Sequence, residues 1–366
     1  MVYTYPDYYK EFKCIADKCE DTCCAGWQIV IDDKSLENYR AVSKENAFKE
    51  RLEKSIDWNE GVFKQDSCRR CAFLNEKNLC DLYTALGEDS LCYTCHSYPR
   101  HTEEYENLRE VTLSISCPQV ARMLLGNTSK VTFYTEETDE EDDFDDFDVL
   151  MHGILQDIRS EMIGIMQDRS KDIAIRGAII WHMAEDLQKS IDEGDVFGCE
   201  DIIENTHKSI ETMPQRNYDL ALDMFKKLYN LEVLMEDWEQ QVDETSLLLY
   251  GRDEQYYSTL SAEFDGWLTE NMSQWQIQCE QIVVYFLSTY ICGAVYDGWL
   301  ASKVKMSVAA IFYIHEMLMA LWIKQEKNLS FEDIVNITYR FSRELEHSDI
   351  NLDEMESAMN ELSWED

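Results

Sequence analysis

Ten cysteines crowd the first third of the chain: Cys14, Cys19, Cys23, Cys24, Cys68, Cys71, Cys80, Cys92, Cys95 and Cys117. Thiolates are the ligands shared by structural zinc and iron–sulfur clusters, and four of them close one centre. Two sulfurs two or three residues apart can reach one centre from a single turn. Adjacent Cys23 and Cys24 point in different directions, so they more naturally serve two centres, or one ligates and the other packs. Ten clustered cysteines permit two four-cysteine sites with two left over. The competing reading is a set of free cysteines packing as small hydrophobes. The C-x-x-C pairs Cys68–Cys71 and Cys92–Cys95 favour a metal or cluster.

Spacing does not decide between zinc and iron–sulfur. The zinc-ribbon pattern is approximated, because Cys71 and Cys92 enclose 20 residues. The extra cysteines Cys80 and Cys117 and the Cys23–Cys24 doublet fit a ribbon poorly. The radical triplet C-x3-C-x2-C is absent, since Cys19-x3-Cys23 runs straight into Cys24. Neither a P-loop nor a Gly-x-Gly-x-x-Gly turn is present. His96 and His101 flank Pro99 and Arg100; they read as supporting or exposed groups, with Arg100 able to neutralise a cluster or grip a carboxylate. His315, beside Glu316 in an apolar helix, reads as a satisfied core pair.

The whole chain has 366 residues, 33 basic and 73 acidic side chains, and a net charge of −40. That charge argues against nucleic acid and anionic membrane as partners, because both need clustered Lys and Arg. Residues 1–117 carry a net of −7 and residues 118–366 a net of −33. The opening MVYTYPDYYKEF lacks the basic run and apolar stretch of a secretory signal, so a cytoplasmic, soluble protein is expected. In that compartment abundant cysteine points to metal or redox chemistry. The most apolar segments, Ile282–Tyr296 and Met306–Ile323, read as buried helices and not as membrane spans.

Two parts with different construction follow. Residues 1–135 form a cysteine-rich, metal-organised domain with little β, with strands expected at Gln28–Ile31 and Val111–Ile115. Helices are expected at Ser35–Val42 and Ala47–Ile56. Residues 136–148, ten of them acidic, read as a solvated linker or loop. Residues 149–366 read as an all-α bundle of six to eight helices. Leu150, Ile154, Ile158, Met162 and Ile165 share one helical face. Further helices are expected at Asp219–Met235, Gln274–Tyr296 and Lys303–Lys324. A last one starts at Ser330, which forms a capping box with Asp333. The fold class is therefore mainly α.

Several motifs carry a resemblance. Phe12-Lys-Cys14, Asp21-Thr-Cys-Cys24 with Trp27 and Ile29, Cys71-Ala-Phe-Leu74, Leu79-Cys80, Gly87-Glu88, Cys95, Tyr98-Pro-Arg100 and Ser116-Cys-Pro118 stand in the order seen in the flagellin lysine-N-methylase family. The likeness covers roughly residues 1–125; the helical remainder resembles the family in length and character. Carried over, it selects Cys14, Cys19, Cys23, Cys24, Cys71, Cys80, Cys95 and Cys117 as metal ligands and leaves Cys68 and Cys92 outside. The resemblance implies a protein-lysine N-methyltransferase acting on flagellin, with S-adenosylmethionine as donor and an iron–sulfur cluster of the 4Fe–4S type. Zinc is the alternative metal. A carrier, sensor or adaptor that binds iron or zinc without catalysis is the alternative function. No donor pocket, catalytic residue or oligomeric state is legible in the sequence.

Overall fold

The computed structural model describes residues 1–43, 48–139, 147–195, 198–205 and 217–362. Its opening segment is organised by a pairing that the sequence reading missed. Strand β1 (Val2–Pro6) lies parallel to a strand a hundred residues later. Parallel neighbours cannot be joined by a hairpin, so the chain must cross over between them. Here the crossover carries nine of the ten early cysteines. It also contains α1 (Asp33–Ala41), α2 (Lys49–Ser55), a two-residue hairpin of β2 (Ile56–Asp57) and β3 (Val62–Phe63), α3 (Asp81–Leu86) and α4 (Tyr93–Ser97). The chain then forms the antiparallel pair β4 (Arg100–Tyr105) and β5 (Leu108–Leu113). Val2 faces Leu108 and Thr4 faces Glu110 across the parallel pairing. After α5 (Pro118–Gly126), β6 (Phe133–Glu137) closes the sheet in the order β4-β5-β1-β6.

Asp32 holds two pieces of the crossover. Its Oδ1 accepts from the backbone N–H of Ser35 at 2.9 Å, which caps α1. Its Oδ2 accepts from the N–H of Tyr93 at 2.8 Å, at the start of α4. A small core of Ile29, Ile31, Leu36, Leu52, Phe63 and Phe73 closes around Cys71 and Cys92. Residues 28–31 do not form the expected strand. Ile29 and Ile31 point inward and Val30 outward, but the neighbouring β3 is only two residues long and Val30 makes a single bridge, to Val62.

The rest is helical: α6 (Val149–Met166), α7 (Ile173–Asp192), α8 (Gly198–Asn205), α9 (Tyr218–Lys226), α10 (Trp238–Tyr250), α11 (Glu254–Asn271), α12 (Trp275–Tyr290), α13 (Ala294–Asp297), α14 (Leu300–Lys324), α15 (Phe331–Glu346) and α16 (Asp349–Asn360). Eleven α-helical segments among the described residues exceed the expected six to eight, because short pieces such as α13 interrupt the long ones. The helical stretch Trp275–Asp297, from α12 through α13, and helix α14 are each long and apolar enough to cross a membrane, yet most of each is buried within the protein. Helix α14 packs on α7, α10, α12, α15 and α16, which explains its apolar residues on every side. Ser330 and Asp333 form the expected capping box of α15.

Two expected elements end early. Helix α9 stops at Lys226 and a 3-10 turn follows, because the backbone N–H groups of Leu234 and Met235 donate to the Glu344 carboxylate at 2.7 and 3.0 Å. Helix α12 stops at Tyr290, before a 3-10 turn at Ile291–Gly293. The acidic tract is also not one loop. Glu136 and Glu137 belong to β6, where charge on an exposed edge strand discourages pairing with other chains. Asp148 caps α6 through the N–H of Met151, and residues 140–146 lie outside the described residues.

A buried carboxylate ties α7 to α12. Glu280 accepts from Arg176 Nη1 and Arg169 Nη2, both at 2.8 Å, and Glu280 and Arg176 are each 1% exposed. Removing one partner strands a buried charge, so Glu280→Ala is expected to cost about 3–5 kcal/mol. The denaturant midpoint should fall accordingly, and an unchanged midpoint would show that Arg176 finds another partner.

Candidate functional site

The early thiols gather into two neighbouring groups. Burial pushes Cys117 up to about 11, and the nearby Cys19 and Cys14 add to the effect. Cys23 is raised by its hydrogen bond with Cys24 and by burial, with Cys117 and Cys14 again among its neighbours. Cys14, Cys19, Cys23 and Cys117 thus form the first group. Cys24 hydrogen-bonds with Cys23 and also borders a second set. Burial pushes Cys71 up to about 12, with Cys24, Cys80 and Cys92 adding to it. The hydrogen bond with Cys92, then burial, raise Cys95 far above the ordinary thiol range, and Cys24 contributes. Cys24, Cys71, Cys80, Cys92 and Cys95 form the second group.

The doublet therefore splits between the groups and sets them one residue apart. Cys92, which the family pattern leaves out, is fully buried within the second group. Cys68 is exposed on a turn, so its C-x-x-C pair with Cys71 is divided between surface and core.

Local structure aims backbone donors at several of these sulfurs. Cys80, Cys92 and Cys117 occupy the N-cap positions of α3, α4 and α5. The backbone N–H groups of Leu82 and Tyr83 partly offset the burial of Cys80, and those of Gln119 and Val120 partly offset that of Cys117. Such donors at a helix N-terminus stabilise a thiolate. Cys24 is lowered to about 7 by the hydrogen bond from Cys23, helped by Thr22 and the Arg70 guanidinium. Among these early thiols Cys24 and Cys92 are thus the two lowered, while burial or a neighbouring thiol keeps Cys19, Cys23, Cys71, Cys80, Cys95 and Cys117 raised.

Beside the first group, the helical part closes over the cysteine-bearing crossover. Arg343 of α15 pairs with Asp21 Oδ1 at 2.7 Å and donates to the Ser116 carbonyl at 3.2 Å. His347, just past α15, shares a hydrogen bond between Nε2 and Ser116 Oγ at 2.8 Å. Its ring lies 4.4 Å from that of Trp27 and 5.7 Å from that of Tyr98. Tyr98 in turn meets Ser116 Oγ at 3.1 Å, and Ser116 meets Ser114 at 2.6 Å. Burial, then the charge of Arg343, push His347 down to about 3, so its imidazole is neutral near pH 7.

The seam continues into a polar pocket wall. Glu346 Oε2 accepts from Tyr285 Oη at 2.5 Å and from Tyr290 Oη at 3.0 Å, while Ser342 donates to Oε1. Burial raises the Glu346 carboxyl despite these donors. His101 Nε2 meets Glu103 Oε1 at 2.5 Å on β4, and Glu346 adds to the field on that histidine. A half-buried carboxylate, two phenols and a histidine can bind a cation and move a proton.

Other sequence candidates are placed elsewhere. His96 is exposed on α4. The Arg100 guanidinium lies over the rings of Tyr9 and Phe12, at 6.0 and 5.6 Å, so stacking replaces the expected carboxylate contact. The cations beside the thiols are instead Arg70 and Arg343. His315 is a satisfied core group, 2.8 Å from Asp265. Arg343, Glu346 and His347 escaped the sequence reading. Their only local signal is a charged run at the end of an amphipathic helix.

The helical part also carries the match to known proteins. Residues 159–366, more than half of the chain, fit the family model described as the FliB lysine N-methylase C-terminal domain. The chain belongs to the FliB lysine N-methylase family. A lysine-N-methylase from Salmonella choleraesuis is 31% identical over 132 residues, which is 34% of this chain and 32% of that protein. A flagellar biosynthetic protein FliU from Salmonella muenchen is 30% identical over 132 residues, covering 34% of this chain and 77% of that protein. The alignments thus span about a third of the lysine-N-methylase relatives. No solved structure matches the chain. Within the family model lie Arg343, Glu346 and His347, the groups that α15 brings to the cysteines.

His347 makes the seam acid-sensitive. Its folded pKa lies below the unfolded value, so the unfolded chain binds the extra proton between about pH 6.5 and 3. The stability it contributes is present above about pH 6.5 and is lost as pH falls. His347→Gln is therefore expected to be less stable than the parent at pH 7, with a gap that narrows towards pH 4 in thermal melts. A gap independent of pH would show that the imidazole does not titrate in this way.

Proposed function

We propose that the chain catalyses methyl transfer from S-adenosylmethionine to lysine side chains of flagellin, with iron–sulfur chemistry held by the early cysteines. The observation that carries this reading is the family match over residues 159–366, on the helices that bring Arg343 beside Cys19. The printed names of the relatives, lysine-N-methylase and flagellar biosynthetic protein, support both the reaction and the flagellar substrate.

Thiolates are ligands that zinc and iron–sulfur clusters share, and the family resemblance is what favours the cluster here. Cys14, Cys19, Cys23 and Cys117 would hold one centre. Cys24, Cys71, Cys80 and Cys95 would hold a second, with Cys92 packed beside it. What such a cluster supplies when bound is one-electron chemistry and a tether between crossover and α5.

The chain's own residues account for the handling of lysine. An ammonium has no lone pair, and its ordinary pKa is about 10.4. A base must remove one proton before the amine nitrogen can attack the methyl carbon. The new C–N bond then forms as the C–S bond breaks, and S-adenosylhomocysteine leaves with the electron pair. Glu346 is the proposed base. Burial brings its pKa nearer to that of the amine, which improves proton transfer. Tyr285 and Tyr290 hold its carboxylate in place, and the face of an aromatic ring suits a cationic donor. The acidic surface would draw in a lysine-bearing protein, an attraction weakened by salt.

Incubation of cluster-loaded protein with donor and unmodified flagellin should add one or more methyl masses to flagellin lysines. No gain in mass would overturn the reading. Cys117→Ala and Cys80→Ala should each lower iron and sulfide content while leaving part of the complement. Glu346→Gln should keep the iron and lower the turnover rate by about 100-fold or more, the scale of a lost general base. Full turnover in that variant would remove Glu346 from the chemistry.

A further inference from the structure

A third set of metal-type donors lies away from both early thiol groups. Glu110 on β5, His152 on α6 and Cys292 in the turn after α12 each offer a ligand atom, and the three atoms lie within 4.8 Å of one another. All three residues are buried, at 5%, 6% and 1% exposure. They come from positions 110, 152 and 292, so only the packing of sheet against bundle assembles them.

The site is incomplete as it stands. His152 Nε2 is buried with no hydrogen-bond partner, and so is the hydroxyl of Tyr105. The Tyr105 ring lies 4.5 Å from that of His152, so the two orphaned atoms belong to one place. Leaving a buried polar group unsatisfied is costly, because the water it gave up is not replaced. Two at one point, beside a thiol and a carboxylate, call for a shared partner. Phe147 and Tyr296 wall the place with rings.

We infer that Glu110, His152 and Cys292 form a site for a single divalent transition ion of the zinc type, separate from the early cysteine groups. One nitrogen, one sulfur and one oxygen donor match zinc's preferences, and three protein ligands leave a fourth position beside Tyr105. The unpartnered Nε2 of His152 is the nitrogen it would offer. Arg159 binds both oxygens of Glu110 and also donates to the Ser288 carbonyl at 3.2 Å. It occupies one lone pair on each oxygen and leaves the others for an ion, and it fixes the carboxylate's orientation. Binding would exchange the Cys292 proton for the ion, so affinity rises with pH.

The test uses the full-length protein with its other centres loaded. Zinc is added, excess is removed by gel filtration, and bound metal is counted by elemental analysis alongside a thermal melt. The parent should retain one zinc per chain that Cys292→Ser and His152→Gln each lose. Cys80→Ala should keep that ion. Zinc should raise the melting temperature of the parent and leave that of the two site variants unchanged. If the parent gains neither a zinc nor a shift in melting, the inference fails without any variant having to fold. Equal zinc in parent and folded site variants would also overturn it, leaving an internal water as the partner of His152.

Discussion

Arg343 carries the joint on which the site depends. A guanidinium taken out of water costs several kcal/mol unless its donors are met, and this one is almost wholly buried. Its partners are Asp21, beside Cys19 and Cys23, and the carbonyl of Ser116, beside Cys117. One side chain of the family-matched helix thus grips both ends of the first thiol group. Helix α15 cannot withdraw without stranding that charge, and the thiols cannot spread without releasing it. The neutral His347 and the half-buried Glu346 take their places from the same helix end.

Topology explains why so irregular a segment has a defined shape. The crossover between β1 and β5 has little regular structure, and a long loop of that kind loses much conformational entropy on ordering. The parallel pairing fixes its two ends. Inside it, a small apolar core and cysteines at two helix starts supply the remaining constraints. The cysteine-rich part is therefore bounded by the sheet, and that sheet packs through Leu108, Leu113 and Tyr105 into the same core as the helices.

Local features were the ones legible in the sequence. The capping box of Ser330 and Asp333 depends on residues three apart, and the apolar character of α12 and α14 depends on single segments. Features requiring distant partners were hidden. The strand Val2–Pro6 has no distinctive alternation and exists because β5 and β6 flank it. The early end of α9 depends on Glu344, more than a hundred residues away. Cys92 joins the second thiol group through packing, while its C-x-x-C relation to Cys95 was visible from the start. Glu346 looked like one of 73 acidic residues until Tyr285 and Tyr290 were placed against it.

Asp32 gives the crossover an unusual economy of parts. One carboxylate ends two helices at once, α1 through Ser35 and α4 through Tyr93, and α4 carries Cys95. Replacement by Asn would preserve only one of the two acceptors, because an amide has a single carbonyl oxygen. The two helix ends therefore share a common mode of failure. Damage at this single acidic residue would propagate to the metal-type thiols from a position that bears no sulfur.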